Sequence, residues 1–335
     1  MIAQIESLPE PPRWQTVLAE AISRPAELLQ ILELAPEEMG LSADAMKRFS
    51  LRVPRGYVAR MGKRDPSDPL LRQVLPVVDE EQGNPGFVMD PVADKAAERV
   101  PGVLHKYQGR VLLLTTGACG IHCRYCFRRH FSYAESNPAS RGWEKAVEYI
   151  HRDSSIDEVI LSGGDPLSLP DERLGGLTRQ IAQSLHVKRL RVHTRMPIVL
   201  PERVNNELLD WLCGTRLIPV VVLHANHANE INQSVRLALQ QLREAGLTLL
   251  NQSVLLRGVN DSVQALCDLS ETLFDAGVLP YYLHLLDRVA GAAHFEVSEV
   301  TARHLWDGLR NGLPGYLVPR LVREQAGALS KEWIC

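Results

Sequence analysis

The stretch "RVLLLTTGACGIHCRYCFRR", residues 110–129, joins an apolar run to a loop that is rich in cysteine. Residues 110–116 have the length and the aliphatic composition of a strand buried within a parallel sheet. Three cysteines, Cys119, Cys123 and Cys126, follow this strand in the spacing C-x3-C-x2-C. Three thiols clustered in a loop directly after a strand indicate a metal site at that end of the sheet.

Alternating strand-like and helix-like segments continue toward the C-terminus. Apolar runs predict five further strands, at residues 157–163, 189–195, 218–225, 247–256 and 281–286. Helical spacing predicts a helix after each of the six strands, at residues 142–152, 171–185, 205–213, 233–246, 262–277 and 298–310. Consecutive strand–helix units build a parallel sheet, and six units are too few to close an eight-stranded barrel. The prediction is an α/β fold, a partial (β/α)6 TIM-like barrel of parallel strands.

The segments on either side of this barrel differ from it in pattern. Upstream, helical spacing at residues 14–23 and 25–35 precedes the proline- and acid-rich residues 64–95, which predict an irregular wrap. We therefore expect three parts, which are an N-terminal helical and irregular extension at 1–100, the partial barrel at 101–315, and a C-terminal segment at 316–335.

Composition limits the class of protein. Lys plus Arg is 37 and Asp plus Glu is 40, so the net charge of −3 gives no reason to expect a nucleic-acid partner. No apolar run is long enough to span a bilayer, and the start of the chain lacks the features of a signal peptide. We expect a cytoplasmic protein without a membrane partner, whose six cysteines stay reduced. Cys213 and Cys267 lie in apolar helical segments and are expected in the core, whereas Cys335 is expected to be exposed.

Polar motifs follow the ends of the other predicted strands. They are "SGGDP" (162–166), "HTRMP" (193–197), "HANHANE" (224–230), "NQSVLLRGVND" (251–261) and "LDR" (286–288). The carboxyl ends of parallel strands meet on one face of a barrel. We therefore expect these motifs and the cysteine loop to form a single site.

Two kinds of metal site compete for the three thiols. A structural zinc ion takes four ligands, and His122 or His130 could complete that number. A 4Fe–4S cluster normally takes four thiolates, so three of them leave one iron open for another ligand. An open iron is a liability for electron transfer and useful for catalysis.

The cysteine spacing, with the aromatic Tyr125 before the last cysteine, resembles the signature of radical S-adenosylmethionine (SAM) enzymes. The resemblance implies a 4Fe–4S cluster whose open iron chelates SAM, which is then cleaved to methionine and a 5′-deoxyadenosyl radical. "SGGDP" is similar to the second motif of this family. That similarity implies that the residues of the motif approach the SAM amino group, namely Ser162, Gly163, Gly164 and Asp165.

Longer motifs resemble the lysine 2,3-aminomutases. These are "CRYCFRRHF", "LSGGDPL", "HANHANEI", "NQSVLLRGVND" and "YYLHLLD", in that order. The short C-terminal end and "GYLVPRLVRE" are most similar to the members that act for elongation factor P. The resemblance implies an isomerase that moves the α-amino group of L-lysine to Cβ and so forms β-lysine.

The same resemblance implies pyridoxal 5′-phosphate (PLP), bound covalently to a lysine near the C-terminus. That position falls on Lys331 in "GALSKEWIC". The lysine-degrading relatives carry a glycine-rich run before this lysine, whereas here the run is "QAGALS". Arg110, with Lys106 and Tyr107, is expected to reach the PLP phosphate and ring, and Lys106 replaces an arginine of the family.

The remaining roles are also carried over from the family. Arg128 matches the arginine that pairs with the α-carboxylate of the substrate, a task that suits a bidentate guanidinium. Asp287 matches an aspartate that holds the ε-ammonium, and Glu324 stands where the lysine-degrading enzymes carry a second aspartate. His224 and Gln252 are expected to contact SAM.

Partners follow from the resemblance as well. It implies a ligase that attaches β-lysine to elongation factor P, an electron donor such as flavodoxin or ferredoxin, and a possible homodimer. Two alternatives stay open. One is a catabolic aminomutase for lysine or another amino acid, and the other is a non-catalytic zinc-binding protein.

Overall fold

A computed structural model describes residues 13–133 and 143–335. Within these residues ten strands form one sheet, in which spatial order follows chain order. They are β1 (Glu98–Val100), β2 (Val103–Tyr107), β3 (Arg110–Thr116), β4 (Glu158–Gly163), β5 (Arg189–Thr194), β6 (Ile218–Leu223), β7 (Thr248–Val254), β8 (Leu279–His284), β9 (Arg320–Arg323) and β10 (Glu332–Trp333). Neighbouring strands from β3 to β9 run parallel, while the pairs β1–β2, β2–β3 and β9–β10 are antiparallel.

Helices follow the strands β3 to β8 and complete the predicted repeating units. Their bounds are Glu144–Arg152, Asp171–Ala182, Asn206–Cys213, Gln233–Glu244, Val263–Asp275 and Glu299–Gly312. Four of these helices begin after a side chain that accepts a backbone hydrogen bond and so satisfies a free N–H group of the first turn, at Asn205, Asn232, Ser262 and Ser298. The predicted partial α/β barrel is confirmed, and its parallel strands stay open rather than closing on themselves.

Short strands at both ends of the sheet were not predicted. The hairpin of β1 and β2 adds two antiparallel strands before β3, and β9 adds a seventh parallel strand after β8. The C-terminal segment 316–335 therefore belongs to the same sheet as the barrel. Strands of two to five residues are too short to show an apolar alternation, which is why their pattern was not seen.

The N-terminal extension packs against the strands and against the loops that follow them. Its helices in the described residues are short, at Trp14–Ala19, Pro25–Leu32, Ala43–Arg48, Arg55–Val58, Pro69–Arg72 and Asp94–Ala97. Leu28, Leu29, Leu70 and Leu71 are fully buried in the same apolar core as the strands. Burial of each leucine side chain contributes about 1.5–3 kcal/mol to the free energy of folding. These contacts hold the extension against the barrel. Its first twelve residues, and residue 142 of the predicted helix 142–152, lie outside the described residues.

The inner face of the sheet is partly polar. On β5, Arg191 and His193 are half-buried while Val192 between them is buried, and on β7 Gln252 is half-buried beside buried Ser253. This alternation places polar side chains inside the barrel, where they line a site.

The cysteines outside the loop differ from expectation. Cys213 is exposed, so its expected place in the core is wrong. It lies on the outer side of its helix, near the carbonyl of Ala245. Cys267 and Cys335 are partly buried and pack against one apolar cluster, so the expected exposure of Cys335 is wrong as well. No helix in the described part of the chain is long and apolar enough to cross a membrane.

Candidate active site

The cysteine loop follows β3 and is tied to the N-terminal extension. The amides of His122 and Arg124 donate to the carbonyls of Arg52 and Gln73, at 3.0 and 2.8 Å. Within the loop, the amide of Cys126 donates to the carbonyl of Cys123 at 3.0 Å. The extension thus helps to hold the loop in position.

A buried carboxylate anchors two arginines of this loop. Arg124 is fully buried and donates from Nε and Nη2 to the two oxygens of Glu80, at 2.8 and 2.6 Å. Arg129 donates to the same carboxylate at 2.6 Å. Burial alone would raise the pKa of Glu80, but the two guanidinium groups lower it below its ordinary value. Arg124 and Arg129 are therefore structural, and they hold the loop in place.

The three thiols are partly buried. Burial raises the pKa of Cys119 well above its ordinary value and that of Cys126 to about 11, so these two are protonated until a metal displaces the proton. Among the described residues, no three His, Cys, Asp or Glu side chains converge as ligands of one metal ion. Cysteines that bind a 4Fe–4S cluster each reach a different iron and need not converge on one point. Three thiols on one anchored loop therefore fit the cluster.

Neither histidine that could have completed a zinc site points to the thiols. His122 Nδ1 bonds to the carbonyl of Ser50 at 2.8 Å, and its ring stacks on Phe49. His130 Nε2 bonds to the carbonyl of Ala290 at 3.0 Å. Both imidazoles are engaged elsewhere, which favours the cluster over zinc.

The two glycines of "SGGDP" lie against the backbone of the cysteine loop. Gly163 has φ +129°, and a Cβ there would collide with the carbonyl of Thr116. A Cβ on Gly164 would collide with the carbonyl of Ala118. The Gly164 amide donates to Thr116 at 2.7 Å. Glycine is thus required by a close approach of protein backbone, a reason that the sequence did not reveal.

Asp165 joins the end of β4 to the end of β5. Its carboxylate accepts hydrogen bonds from the Thr194 hydroxyl and from the amides of Arg195, Met196 and Leu167, at 2.7, 2.7, 3.2 and 3.0 Å. Burial raises the pKa of Asp165 to about 6, against the effect of these four donors. Asp165 positions the rim of the barrel, and its expected contact with SAM stays a prediction.

Imidazole rings line the inner face at the ends of β5 and β6. His224 Nε2 lies 3.2 Å from Gln252 Nε2, and the His193 ring lies 5.8 Å from the His224 ring. Burial, with nearby Arg195, Arg128 and Lys331, lowers the pKa of His224 to about 3. A neutral imidazole therefore stands beside Gln252, where both residues were expected to meet SAM.

Two of the lining histidines were not singled out from the sequence. His284 at the end of β8 is 8% exposed, and the Nε2 atoms of His193 and His284 make no hydrogen bond. The pKa of both rings is lowered well below the ordinary value. Burial is the main cause, and nearby cations such as Lys331 add to it. Polar residues inside otherwise apolar strands were the signal that could have identified them.

Arg128 extends from the cysteine loop to the "SGGDP" motif. Its Nε donates to Asp94 at 2.7 Å, and its Nη1 donates to the hydroxyl of Ser162 at 3.1 Å. Lys106 Nζ lies 2.7 Å from the other oxygen of Asp94. Burial would raise the pKa of Asp94, but the two cations lower it. Asp94 orients both cations, and nothing in the sequence pattern marked it.

The C-terminal segment brings Lys331 to a carboxylate. Lys331 Nζ lies 2.6 Å from Glu324 Oε2, and the Tyr107 hydroxyl donates to Glu324 Oε1 at 2.6 Å. Arg110 stacks on the Tyr107 ring, 4.9 Å from its centroid. Burial would raise the pKa of Glu324, but Lys331 and Tyr107 lower it below its ordinary value.

Asp287 lies close to this group. Asp287 is half-buried. Burial raises the pKa of Asp287 to about 7, and Lys331 and Glu324 act on it in opposite directions.

The predicted residues lie in one connected region. Polar contacts lead from Lys331 through Glu324 and Lys106 to Asp94, and from there through Arg128 to Ser162. The carboxylates of Glu324 and Asp94 thus alternate with the cations of Lys331, Lys106 and Arg128 along a line that ends at the cysteine loop. This set suits a zwitterionic substrate with a second amino group.

Comparisons with known proteins show which family the chain resembles. Residues 113–269 match the model of the radical SAM superfamily. The chain is 50% identical to an L-lysine 2,3-aminomutase of Escherichia coli (strain K12), over 98% of this chain and 97% of that protein. It is 35% identical to an L-lysine 2,3-aminomutase of Clostridium subterminale, over 95% of this chain and 76% of that protein. A solved structure described as native anSMEcpe with bound AdoMet and Kp18Cys peptide has a TM-score of 0.47 and 11% identity, over 60% of this chain and 58% of that one.

Proposed function

Because the chain belongs to the lysine 2,3-aminomutase family of radical SAM enzymes, we propose that it converts L-α-lysine to β-lysine. The observation that carries the proposal is the line of polar contacts from Lys331 to Arg128. This line supports the proposal because it connects Lys331, an amine that could bind PLP, with Arg128, a cation of the cysteine loop that could bind the substrate carboxylate.

Cys119, Cys123 and Cys126 would hold the 4Fe–4S cluster, and the ends of β4, β6 and β7 would face SAM. When bound, the cluster and SAM supply a 5′-deoxyadenosyl radical that abstracts hydrogen. Neutral His224 and Gln252 contribute uncharged polar atoms on the inner face. Such groups can hydrogen-bond to SAM without placing a further positive charge beside its sulfonium.

Lys331 would hold PLP through its amine, and Lys106 and Arg110 are cations suited to its phosphate. When bound, PLP supplies the conjugated system across which the amino group migrates. Glu324 Oε2 lies 2.6 Å from Lys331 Nζ, and its other oxygen accepts from the Tyr107 hydroxyl, so the amine is held near the Tyr107 side chain. An amine held beside basic and aromatic side chains fits the cofactor.

The substrate would be held at its two ends. Asp94 and Ser162 orient the Arg128 guanidinium, which makes it ready to donate to the α-carboxylate of lysine. Asp287 lies near Lys331 and would meet the ε-ammonium, with Glu324 next to it. Fixing both ends decides which carbon faces the radical, because orientation determines which hydrogen is reached. Exclusion of water and oxygen from this region would protect the reactive intermediates.

We further propose that the product serves elongation factor P, to which a separate ligase would attach it. The chain is 50% identical to the Escherichia coli relative and 35% identical to the clostridial one, which supports a place nearer the former. A low-potential donor such as flavodoxin or ferredoxin would supply the electron in the cytoplasm. A homodimer is part of the same proposal.

Anaerobic incubation of the reconstituted protein with lysine, SAM and dithionite tests the activity, with the product identified by mass spectrometry against β-lysine standards. The Cys123→Ala variant is the control for radical formation. Turnover of an amino acid that lacks a distal charge, in preference to lysine, would favour the alternative aminomutase. A colourless protein with stoichiometric zinc, and without iron or sulfide, would favour the zinc-binding alternative.

A further inference from the structure

A buried arginine touches the middle cysteine of the loop. Arg195 follows β5 and is 6% exposed. Its Nη1 donates to Cys123 Sγ at 2.8 Å. This contact places the positive charge of the guanidinium beside one thiol of the candidate metal site.

The surrounding residues fix the guanidinium in this position. Arg195 Nη2 donates to Glu230 and to the side-chain oxygen of Gln73, both at 2.7 Å. Nη1 donates also to the Tyr125 hydroxyl at 2.8 Å. Glu230 is fully buried, so the ion pair is shielded from solvent and Arg195 cannot turn away without leaving a buried charge unpaired.

We propose that Arg195 sets the reduction potential of the cluster by donating a hydrogen bond to the sulfur of Cys123. The inference rests on the proposed function only in requiring the cluster at these cysteines. One electron from a low-potential donor reduces the cluster from the 2+ to the 1+ state, and Arg195 keeps its proton throughout. The added negative charge lies partly on the sulfurs, so a cationic donor stabilises the reduced state more and raises the potential.

A structural role alone would predict a different result. If Arg195 only packed the loop, its removal would lower stability and cluster content without changing the potential of clusters that do assemble. The experiment therefore measures the midpoint potential of the reduced cluster by a redox titration followed with electron paramagnetic resonance. Iron, sulfide and melting temperature are measured on the same samples.

The main variant is the double change Arg195→Gln with Glu230→Gln, which removes both charges of the ion pair together. Glu230→Gln alone reports the contribution of the partner. The matched control is Arg203→Lys, at a fully buried arginine that contacts Leu167, Leu169 and Asp171 instead of a cysteine. A further variant, Arg195→Lys, keeps the positive charge but not the guanidinium. We expect a more negative midpoint in the double variant than in the wild type or in Glu230→Gln, a smaller shift in Arg195→Lys, and no shift in Arg203→Lys.

An unchanged midpoint in a double variant with full iron and sulfide would overturn the proposal. If that variant does not assemble a cluster, wild-type protein labelled with 15N-arginine decides the matter. Pulsed resonance of its reduced cluster should show hyperfine coupling to an arginine side-chain nitrogen, and absence of that coupling excludes the contact. If the wild-type protein binds no cluster, the proposed function itself fails, which is a distinct outcome.

Discussion

At the scale of single residues, Asp287 and Glu324 differ in what already binds them. Glu324 is held by Lys331 and Tyr107, at 2.6 Å from each. Asp287 is half-buried, and burial raises its pKa even though Lys331 and Lys106 lower it. A substrate ammonium would therefore gain more from Asp287 than from Glu324. We therefore expect a larger effect from a change at Asp287 than from one at Glu324.

Asp287→Asn should cripple turnover of lysine. The substitution removes the charge that meets a partly buried ammonium, and loss of such a pair costs about 2–5 kcal/mol. Glu324→Gln should weaken lysine binding less, because Glu324 is already engaged. Steady-state kinetics of both variants give the comparison, and cluster content and lysine-independent SAM cleavage serve as controls that should not change. Normal lysine turnover by Asp287→Asn would show that the ε-ammonium is held elsewhere, and substrates without a distal charge should then be tried.

The raised pKa of Asp287 gives lysine binding a pH dependence. Burial sets this pKa to about 7, with Lys331, Glu324, Lys106 and Asp94 as the surrounding charges. Below that pH the carboxyl carries a proton and cannot pair with the ε-ammonium, which stays charged up to about pH 10. The KM for lysine should therefore fall as pH rises from 6 to 8. Asp287→Asn should abolish this trend, and an equal trend in the variant would assign it to another group.

At the scale of elements, the cysteine loop depends on the N-terminal extension. Glu80 comes from the extension and binds Arg124 and Arg129 of the loop, and all three side chains are almost fully buried. The extension thus anchors the loop that carries the three cysteines. The sequence pattern predicted an irregular wrap, but the pairing of one acid with two arginines depends on tertiary contacts that no spacing encodes.

Glu80→Gln should destabilise the protein and impair cluster assembly. Two arginines would lose their charged partner inside the protein, and removing one member of a buried pair costs about 3–5 kcal/mol. Urea denaturation and iron content measure the two effects. Glu296→Gln is the matched control, because Glu296 pairs with the exposed Arg288 and should cost at most about 1 kcal/mol. Equal stability of the two variants would exclude the anchoring role.

Replacement of Cys119, Cys123 or Cys126 by alanine should remove the 4Fe–4S cluster and all SAM cleavage. Each thiol is expected to bind a different iron, so none can substitute for another. Cys213→Ala is the control, since Cys213 is exposed on a helix outside the site. Iron, sulfide and 5′-deoxyadenosine are measured. SAM cleavage at a normal rate by Cys123→Ala would contradict the cluster assignment.

The long elements could be predicted from the sequence because their apolar periodicity repeats over many residues. The strand 110–116 and the helix that starts at 171 are examples, and their bounds match within a few residues. β9, with four residues, and β10, with two, carry too little pattern. Their places follow from pairing with β8 and with each other, which is a property of the folded sheet. Asp94, Arg195 and His284 received no individual role for the same reason, since their importance comes from neighbours distant in sequence, although Arg195 and His284 lie in motifs that were expected at the site.

At the scale of the whole molecule, the open sheet is bridged by side chains. β2, near one end of the sheet, contributes Tyr107 and Lys106, while Glu324 follows β9 near the other end. The Tyr107 hydroxyl donates to Glu324 at 2.6 Å, so a polar contact links strands that share no backbone pairing. Lys331 joins the same group just before β10. The expected PLP residues therefore lie where the two ends of the sheet approach each other.

This arrangement makes Lys331 the amine that PLP should label. The amine is half-buried and lies 5.9 Å from the Tyr282 ring, whereas the side chain of Lys63 in the N-terminal extension is exposed. Borohydride reduction of the PLP-loaded protein followed by peptide mapping should place the pyridoxyl group on Lys331. Lys331→Ala should lose the absorbance of bound PLP and keep the iron and sulfide of the cluster, because the cysteine loop is anchored independently through Glu80. Lys63→Ala is the control, since Lys63 is exposed and pairs with Glu33 in the N-terminal extension. A label on another lysine, Lys106 in particular, would show that the cofactor enters from the β2 side, and the role of Lys331 would then be limited to holding Glu324.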